Sequence, residues 1–184
     1  MIMDAAARVV SGTPVSLEQL LAARDGRAAR QAAALARFEK PLLSMTVVMP
    51  GPVKDGRLPR RVLAAALEAV ERVTSGSGRR VLWRDVCWQA TGPDALHVVD
   101  MDARLLKKAA VELEDRHPLG RLWDLDVIVP GHGQLSRRAL GFPARRCLVC
   151  RQPAHTCGRS QRHSLDALWT AIRQIVHAHD PRSA

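Results

Sequence analysis

The chain has 184 residues and 47% apolar content, enough for one domain with a packed core; with 3% aromatics and no Tyr, that core falls to Ala, Leu and Val. A formal net charge of +10 points to an anionic partner, such as nucleic acid, a phosphorylated ligand or an acidic protein, against the plainer reading of an Arg-rich solubilising surface. No run approaches the ~18 apolar residues of a membrane span, and MIMDAAARVVSG, with an early Asp and no long apolar block, does not make a good signal peptide. A cytoplasmic protein is therefore expected, its four cysteines reduced thiols or metal ligands.

The first predicted element is a helix over 16–40, opened by Ser16 and Gln19 as a capping box and weakened at Gly26. Residues 41–50 read as a buried strand, followed by the loop GPVKDG. A second helix spans 59–76, with Pro59 tolerated at its start and Val62, Ala66, Leu67, Val70 and Val73 on one face. Two strands, 79–90 and 95–100, turn at TGPD. A third helix covers 102–116, with Leu105, Leu106, Ala109 and Leu113 on one side. Then come the strand in GRLWDLDVIVPGHG and a partner strand QLSRRAL over 134–140. A Cys- and Arg-rich segment precedes a helix over 164–179, where Leu165, Leu168, Trp169, Ile172, Ile175 and Val176 keep helical spacing. The order strand, helix, strand, strand, helix, strand suits an α+β fold: a split βαβ (ferredoxin-like) antiparallel sheet with helices on one face. The chain reads as a single domain over 1–184, with 143–184 a Cys-rich segment and C-terminal helix packed on it.

Asp124 and Asp126 sit inside an apolar strand, where an ionised carboxylate is costly unless paired. Residues i and i+2 of a strand share a face with Cα atoms about 7 Å apart, so the two can converge on one divalent cation or bracket two. Mg²⁺ favours one or two carboxylates plus substrate phosphate oxygens, and a two-metal arrangement would stabilise both attacking and leaving oxygens at phosphorus. The plain alternative is a solvated edge strand. Glu112, Glu114 and His117 are near in sequence and could supply a third ligand or a base, or be helix-end residues in water. In the other D-x-D, Asp102 reads as an N-cap and Asp100 as a strand end.

Seven arginines and no acidic residue occur between Arg137 and Arg162. Arg forks bind phosphate bidentately. Arg137 and Arg138 follow the aspartate strand, Lys54 lies in the loop after the first strand, and Arg24, Arg27 and Arg30 line one stretch of the first helix. There is no G-x-x-x-x-G-K-[ST], no G-x-S-x-G and no complete dinucleotide fingerprint. Scarce aromatics argue against a base-stacking platform. Cys147, Cys150, Cys157 and His163, spaced C-x2-C-x6-C-x5-H, can make a structural zinc site, with His155 a competing ligand and buried thiols the alternative. Cys87 reads as core.

The stretches RDGRAARQ, SMTVVMPGPVKD, ELEDRHPLGRLWDLDV, SRR and RRCLVC, with the later Cys and His, together resemble the citrate lyase holo-[acyl-carrier-protein] synthases, also called apo-citrate lyase phosphoribosyl-dephospho-CoA transferases. The likeness runs over nearly the whole chain. It implies transfer of phosphoribosyl-dephospho-CoA from triphosphoribosyl-dephospho-CoA to a serine of the citrate lyase acyl carrier (gamma) subunit, with diphosphate leaving, which is nucleotidyltransferase chemistry. On that resemblance Asp124 and Asp126 ligate Mg²⁺, and Glu114 or His117 assists the metal or takes the serine proton. Lys54, Arg121, Arg137 and Arg138, with Arg24 and Arg27, meet the donor's phosphates, and the basic surface suits an acidic carrier. The related malonate decarboxylase system uses a transferase resembling the polymerase-β nucleotidyltransferases. That fold is the alternative, although those enzymes place Gly-Ser ahead of their D-x-D where this chain has Gly120-Arg121 much closer. The rival functions are the same transfer to a malonate decarboxylase carrier, a zinc-stabilised basic nucleic-acid-binding module, and a non-catalytic assembly factor. The citrate lyase reading expects no nucleic-acid or membrane partner.

Overall fold

A computed structural model describes residues 12–75 and 80–179. The N-terminal stretch 1–11, expected to carry no leader, lies outside the described residues. So do 180–184 of the C-terminal segment, and the predicted ends of the second helix at Gly76 and of the second strand at Arg79.

Helix α1 (Leu17–Phe38) opens with the predicted capping box: Ser16 Oγ accepts from Gln19 N–H, and Gln19 Oε1 accepts from Ser16 N–H. Strand β1 (Leu42–Val47) follows, then α2 (Arg57–Thr74), β2 (Arg80–Cys87), β3 (Asp94–Asp100), α3 (Ala103–Arg116), β4 (Trp123–Val129) and β5 (Gly133–Leu135), with α4 (Ala154–Arg159) and α5 (Leu165–His179) closing the chain. The five strands form one antiparallel sheet in the order β2-β3-β1-β4-β5. Asp102 caps α3, its carboxylate accepting from the N–H groups of Arg104 and Leu105, and Asp100 ends β3 in an ion pair with Lys40 at 2.7 Å.

The alternation of a strand sorts residues to two faces. Leu43, Met45, Ala95, Val99, Leu125 and Val127 join α2, α3 and Trp169 and Ile172 of α5 in the main core. On the opposite face Leu42, Leu96 and Val98 meet Ala34 of α1. Helices therefore cover both faces. This corrects the expectation of one covered face, because the alternate positions of these central strands are apolar or half-polar on both sides and need a second layer.

Three further expectations are corrected. The partner of β4 is a three-residue strand and not 134–140: Ser136 Oγ accepts from Ala139 N–H, and the chain turns into a 3-10 helix over Arg138–Leu140. The inward face of α3 is Leu106, Lys107, Ala110, Val111 and Glu114, leaving Leu105 half exposed. Cys87 is only half-buried, at the end of edge strand β2.

The turn into β4 is set by two residues. Pro118 disfavours helix at His117, the C-cap of α3. Gly120 then passes the helix end so closely that a Cβ there would stand 2.1 Å from the Leu113 carbonyl oxygen. Trp123 enters the core with its indole N–H donating to the Val62 carbonyl at 2.9 Å. No described helix is long and apolar enough to cross a membrane.

Candidate active site

Trp123, Leu125 and Val127 of β4 point into the main core, so Asp124 and Asp126 project to the α1 side. Across the ladder they face Thr46 and Ser44 of β1. Arg24, Arg27, Ala28 and Gln31 of α1 stand over them and close a cavity of about 300 Å³. Gln31 Nε2 donates to Ser44 Oγ at 2.9 Å. An adjoining cavity of about 240 Å³ shares Arg24, Arg27 and Thr46 and continues to Lys54, Gln89 and Thr91. Lys54 Nζ donates to the Met49 carbonyl at 2.6 Å, and burial pulls its pKa below the ordinary lysine value. The result is a cleft with carboxylates in its floor and cations on its roof and far end.

Burial and then the charge of Asp124 push the Asp126 carboxyl above its usual range, against the pull of Lys107 and Gln134. A carboxylate pair held this way would gain from a cation, and the neighbouring arginines are chemically able to partner phosphate oxygens.

The edge of β4 is held by side chains. β5 pairs only with Val127, Ile128 and Val129. At Leu125 the exposed backbone groups are taken by α3 instead: Glu114 Oε1 accepts the Leu125 N–H and Lys107 Nζ donates to its carbonyl, each at 2.9 Å. Both side chains are nearly fully buried. Burial pushes the Glu114 carboxyl up, opposed by Arg145 and by the Leu125 N–H. Lys107 Nζ also lies 3.7 Å from Asp126 Oδ1.

The remaining predicted groups are placed as follows. Arg121 donates to the carbonyls of Arg146 and Cys147 at 2.6 and 2.9 Å. Arg137 holds both oxygens of Asp115 at 2.9 Å and lies 3.7 Å from Glu114. Arg138 is exposed in its 3-10 turn. His117 is on the core side of the sheet, its ring 4.3 Å from that of Trp123 and its Nδ1 accepting from Leu119 N–H. Burial, with His179 nearby, lowers its pKa. The fold thus brings Asp124, Asp126, Arg24 and Arg27 together, puts Lys54 at the end of the same cleft, and keeps His117 away.

Sequence reading missed Ser44 and Thr46, although S-x-T in LLSMTV repeats the two-residue spacing of the aspartates and was legible. It also missed Arg145, whose Nη1 lies 3.3 Å from Asp124 Oδ1, and Lys107, neither of which carries a local signal.

The ligand atoms of Cys147, Cys150, Cys157 and His163 all lie within 4.8 Å of one another, a set that can hold one metal ion. His155 is exposed on α4, outside the set. His163 Nε2 is buried without a hydrogen-bond partner among the described residues, and Cys147 Sγ accepts from Val149 N–H at 3.5 Å. Burial raises the Cys147 thiol, but the amides of Val149 and Cys150 bring it down overall, as in thiolate sites.

The family described as apo-citrate lyase phosphoribosyl-dephospho-CoA transferase matches residues 15–179. A Citrobacter koseri protein named apo-citrate lyase phosphoribosyl-dephospho-CoA transferase is 44% identical over 166 residues, covering 90% of this chain and 91% of that protein. A protein of the same name from Escherichia coli O7:K1 is 41% identical over 163 residues, 89% of each chain. With the family model spanning residues 15–179 and relatives 44% and 41% identical over about nine-tenths of the chain, the chain belongs to the apo-citrate lyase phosphoribosyl-dephospho-CoA transferase family.

Proposed function

We propose that this protein transfers phosphoribosyl-dephospho-CoA from triphosphoribosyl-dephospho-CoA to a serine hydroxyl of the citrate lyase acyl carrier subunit. The serine oxygen forms a bond to the donor's α-phosphorus as its proton passes to water, the bond from that phosphorus to the oxygen bridging it to the β-phosphate breaks, and diphosphate leaves with that oxygen. The observation that carries this reading is the juxtaposition, in a chain of this family, of two strand-borne carboxylates with Arg24 and Arg27 across one cleft.

Asp124 and Asp126 would hold Mg²⁺, and the upward-pushed Asp126 carboxyl and cavity-facing oxygens fit that use. When bound, the ion supplies charge neutralisation at the phosphate oxygens. Arg24 and Arg27 orient the triphosphate over the floor, and Lys54 receives its far end. Phosphoryl-type transfer through a loose transition state needs mostly alignment and charge compensation. Glu114 holds Leu125 and the arginines beside it, and His117 braces Trp123; neither is assigned the serine proton. The Cys3His set suits a structural zinc ion, since four protein ligands fill a tetrahedron. The strand order β2-β3-β1-β4 supports a split βαβ core carrying β5 as an added edge, and a single transferase domain accords with one sheet serving both cores.

The test is intact mass of apo carrier subunit after incubation with the protein, Mg²⁺ and donor, beside a folded Asp124→Asn, Asp126→Asn variant. A mass gain of one phosphoribosyl-dephospho-CoA group, lost in the variant, is expected. No gain with the wild-type protein refutes the transfer; a gain that survives in the variant refutes the carboxylate assignment.

A further inference from the structure

Arg145 stands two residues before the first cysteine of the Cys3His set. Its side chain is largely buried. Nη1 lies 3.3 Å from Asp124 Oδ1 and 3.6 Å from Glu114 Oε1, while Nη2 donates to the Arg121 carbonyl at 3.2 Å. Arg121 reaches back to the carbonyls of Arg146 and Cys147. Two arginines therefore lace the backbone before the first cysteine to the start of the aspartate strand. Asp124 itself is about half exposed, so the guanidinium sits beside the open end of the carboxylate pair.

Apolar burial contributes little to fixing this segment, where Leu148 is the partly buried residue packed against the main core. Between 141 and 163 only Cys147 and Cys157 are buried. Its backbone is held by a single bridge between Arg146 and Pro153, the short helix α4 and local hydrogen bonds, such as Ala154 N–H to the Arg145 carbonyl at 2.8 Å. A segment with so little apolar burial gains its order from a cross-link, and here the four converging ligand atoms are the one cluster of that kind among the described residues. The buried Nε2 of His163, with no hydrogen-bond partner among the described residues, independently fits a metal ligand at that spot.

We propose that Arg145 is a phosphate-contacting residue of the cleft, and that a zinc ion in the Cys3His set is what fixes it there; this rests on the transfer reading above. In the free protein the guanidinium balances Asp124 and Glu114. When a triphosphate and its divalent cation meet Asp124, the fork exchanges a carboxylate oxygen for a phosphate oxygen, a partner it matches at least as well. Arg145 is then a third cation over the phosphates, on the edge of β4 that neither Arg24 nor Arg27 covers. The zinc takes no part in the reaction and acts only by holding position.

The experiment uses the full-length protein and two probes. Zinc content is measured in the wild-type protein, Arg145→Ala and Arg145→Lys, before and after stripping with a chelator and after zinc is restored. Binding of Mg²⁺ tripolyphosphate is measured by calorimetry in each state, and donor KM and kcat are measured where transfer occurs. The expected result is one zinc per chain in all three proteins. Arg145→Ala should bind tripolyphosphate about 10–100-fold more weakly and raise donor KM more than carrier KM, with Arg145→Lys recovering part of the loss. Stripping zinc should weaken the wild-type protein by a similar factor, weaken Arg145→Ala no further, and reverse on adding zinc. Wild-type protein without zinc, unchanged tripolyphosphate binding in Arg145→Ala, or equal losses on stripping wild type and Arg145→Ala would each overturn the proposal. If wild-type protein transfers nothing while these binding differences hold, the transfer reading fails and the zinc-held anion site stands.

Discussion

Replacing His97 by leucine isolates the cost of one buried imidazole. His97 lies on β3 between Leu43 of β1 and Arg84 of β2, is 2% exposed, and neither ring nitrogen has a hydrogen-bond partner among the described residues. Burial, helped by Arg84 and opposed by Glu71, pushes its pKa down from 6.5 to about 4. The group is a base whose folded pKa lies below its unfolded one. The unfolded chain therefore binds more protons between these values, and stability rises with pH through that window and is lost as pH falls. At pH 5 the unfolded imidazole is almost fully protonated and the folded one almost neutral, which removes about 2 kcal/mol relative to pH 8. Leucine cannot titrate and leaves no unpaired nitrogen, so the variant should match or exceed the wild type near pH 8. Its advantage should then widen by about 2 kcal/mol at pH 5. Urea unfolding of both proteins at pH 8, 7, 6 and 5, analysed with a common slope, gives the comparison. Other titratable groups, His117 among them, are common to both proteins and cancel. A stability difference that stays constant from pH 8 to pH 5 would refute the reasoning.

Two other substitutions probe the edge and the turn that present the aspartate strand. Lys107→Met keeps the apolar stem but removes the donor to the Leu125 carbonyl and the cation 3.7 Å from Asp126. It should cost about 2 kcal/mol in urea unfolding, whereas a loss under about 0.5 kcal/mol would mean water serves Leu125 equally well. Gly120→Ala forces a methyl to within 2.1 Å of the Leu113 carbonyl oxygen. A fall in melting temperature of roughly 5 °C or more is expected, and unchanged melting would show that the turn relaxes without strain.

Local chemistry was legible where it is local. The Ser16–Gln19 box and the Asp102 cap are satisfied within three residues of themselves, so their side chains report the helix starts directly. The strand and helix order followed from periodicity, and the aspartates' shared face from the pleat. The inward face of α3 was misread because Lys107 and Glu114 look like surface residues by polarity. Their buried ends answer the open backbone of Leu125, a need created only when β5 stops short. The second layer formed by α1 was missed for a related reason. Its inward side carries Arg30 and Gln31, which pattern as solvent-facing until the sheet supplies Asp85 and Asp94 for the one and Ser44 for the other. Arg121 and Arg137 were expected at phosphate because they flank the aspartates, yet each is engaged by carbonyls or Asp115 brought in from elsewhere in the chain.

The attachments of α1 are unevenly spread along its length. Arg30 grips Asp85 at 2.6 Å and Asp94 at 2.5 Å, Gln31 holds Ser44, Ala34 is buried, and the Phe38 ring lies 6.1 Å from that of Trp83. Upstream, Leu17 and Leu21 are 72% and 50% exposed, and Val15 N–H to the Pro52 carbonyl is the backbone tie. The helix is mechanically a beam clamped at its C-terminal half, with Arg24 and Arg27 out toward the compliant span. A small angular deflection about the clamp lifts those two guanidinium groups while the sheet stays still. A change in the clearance between α1 and the aspartate floor would therefore bend one helix without repacking either core.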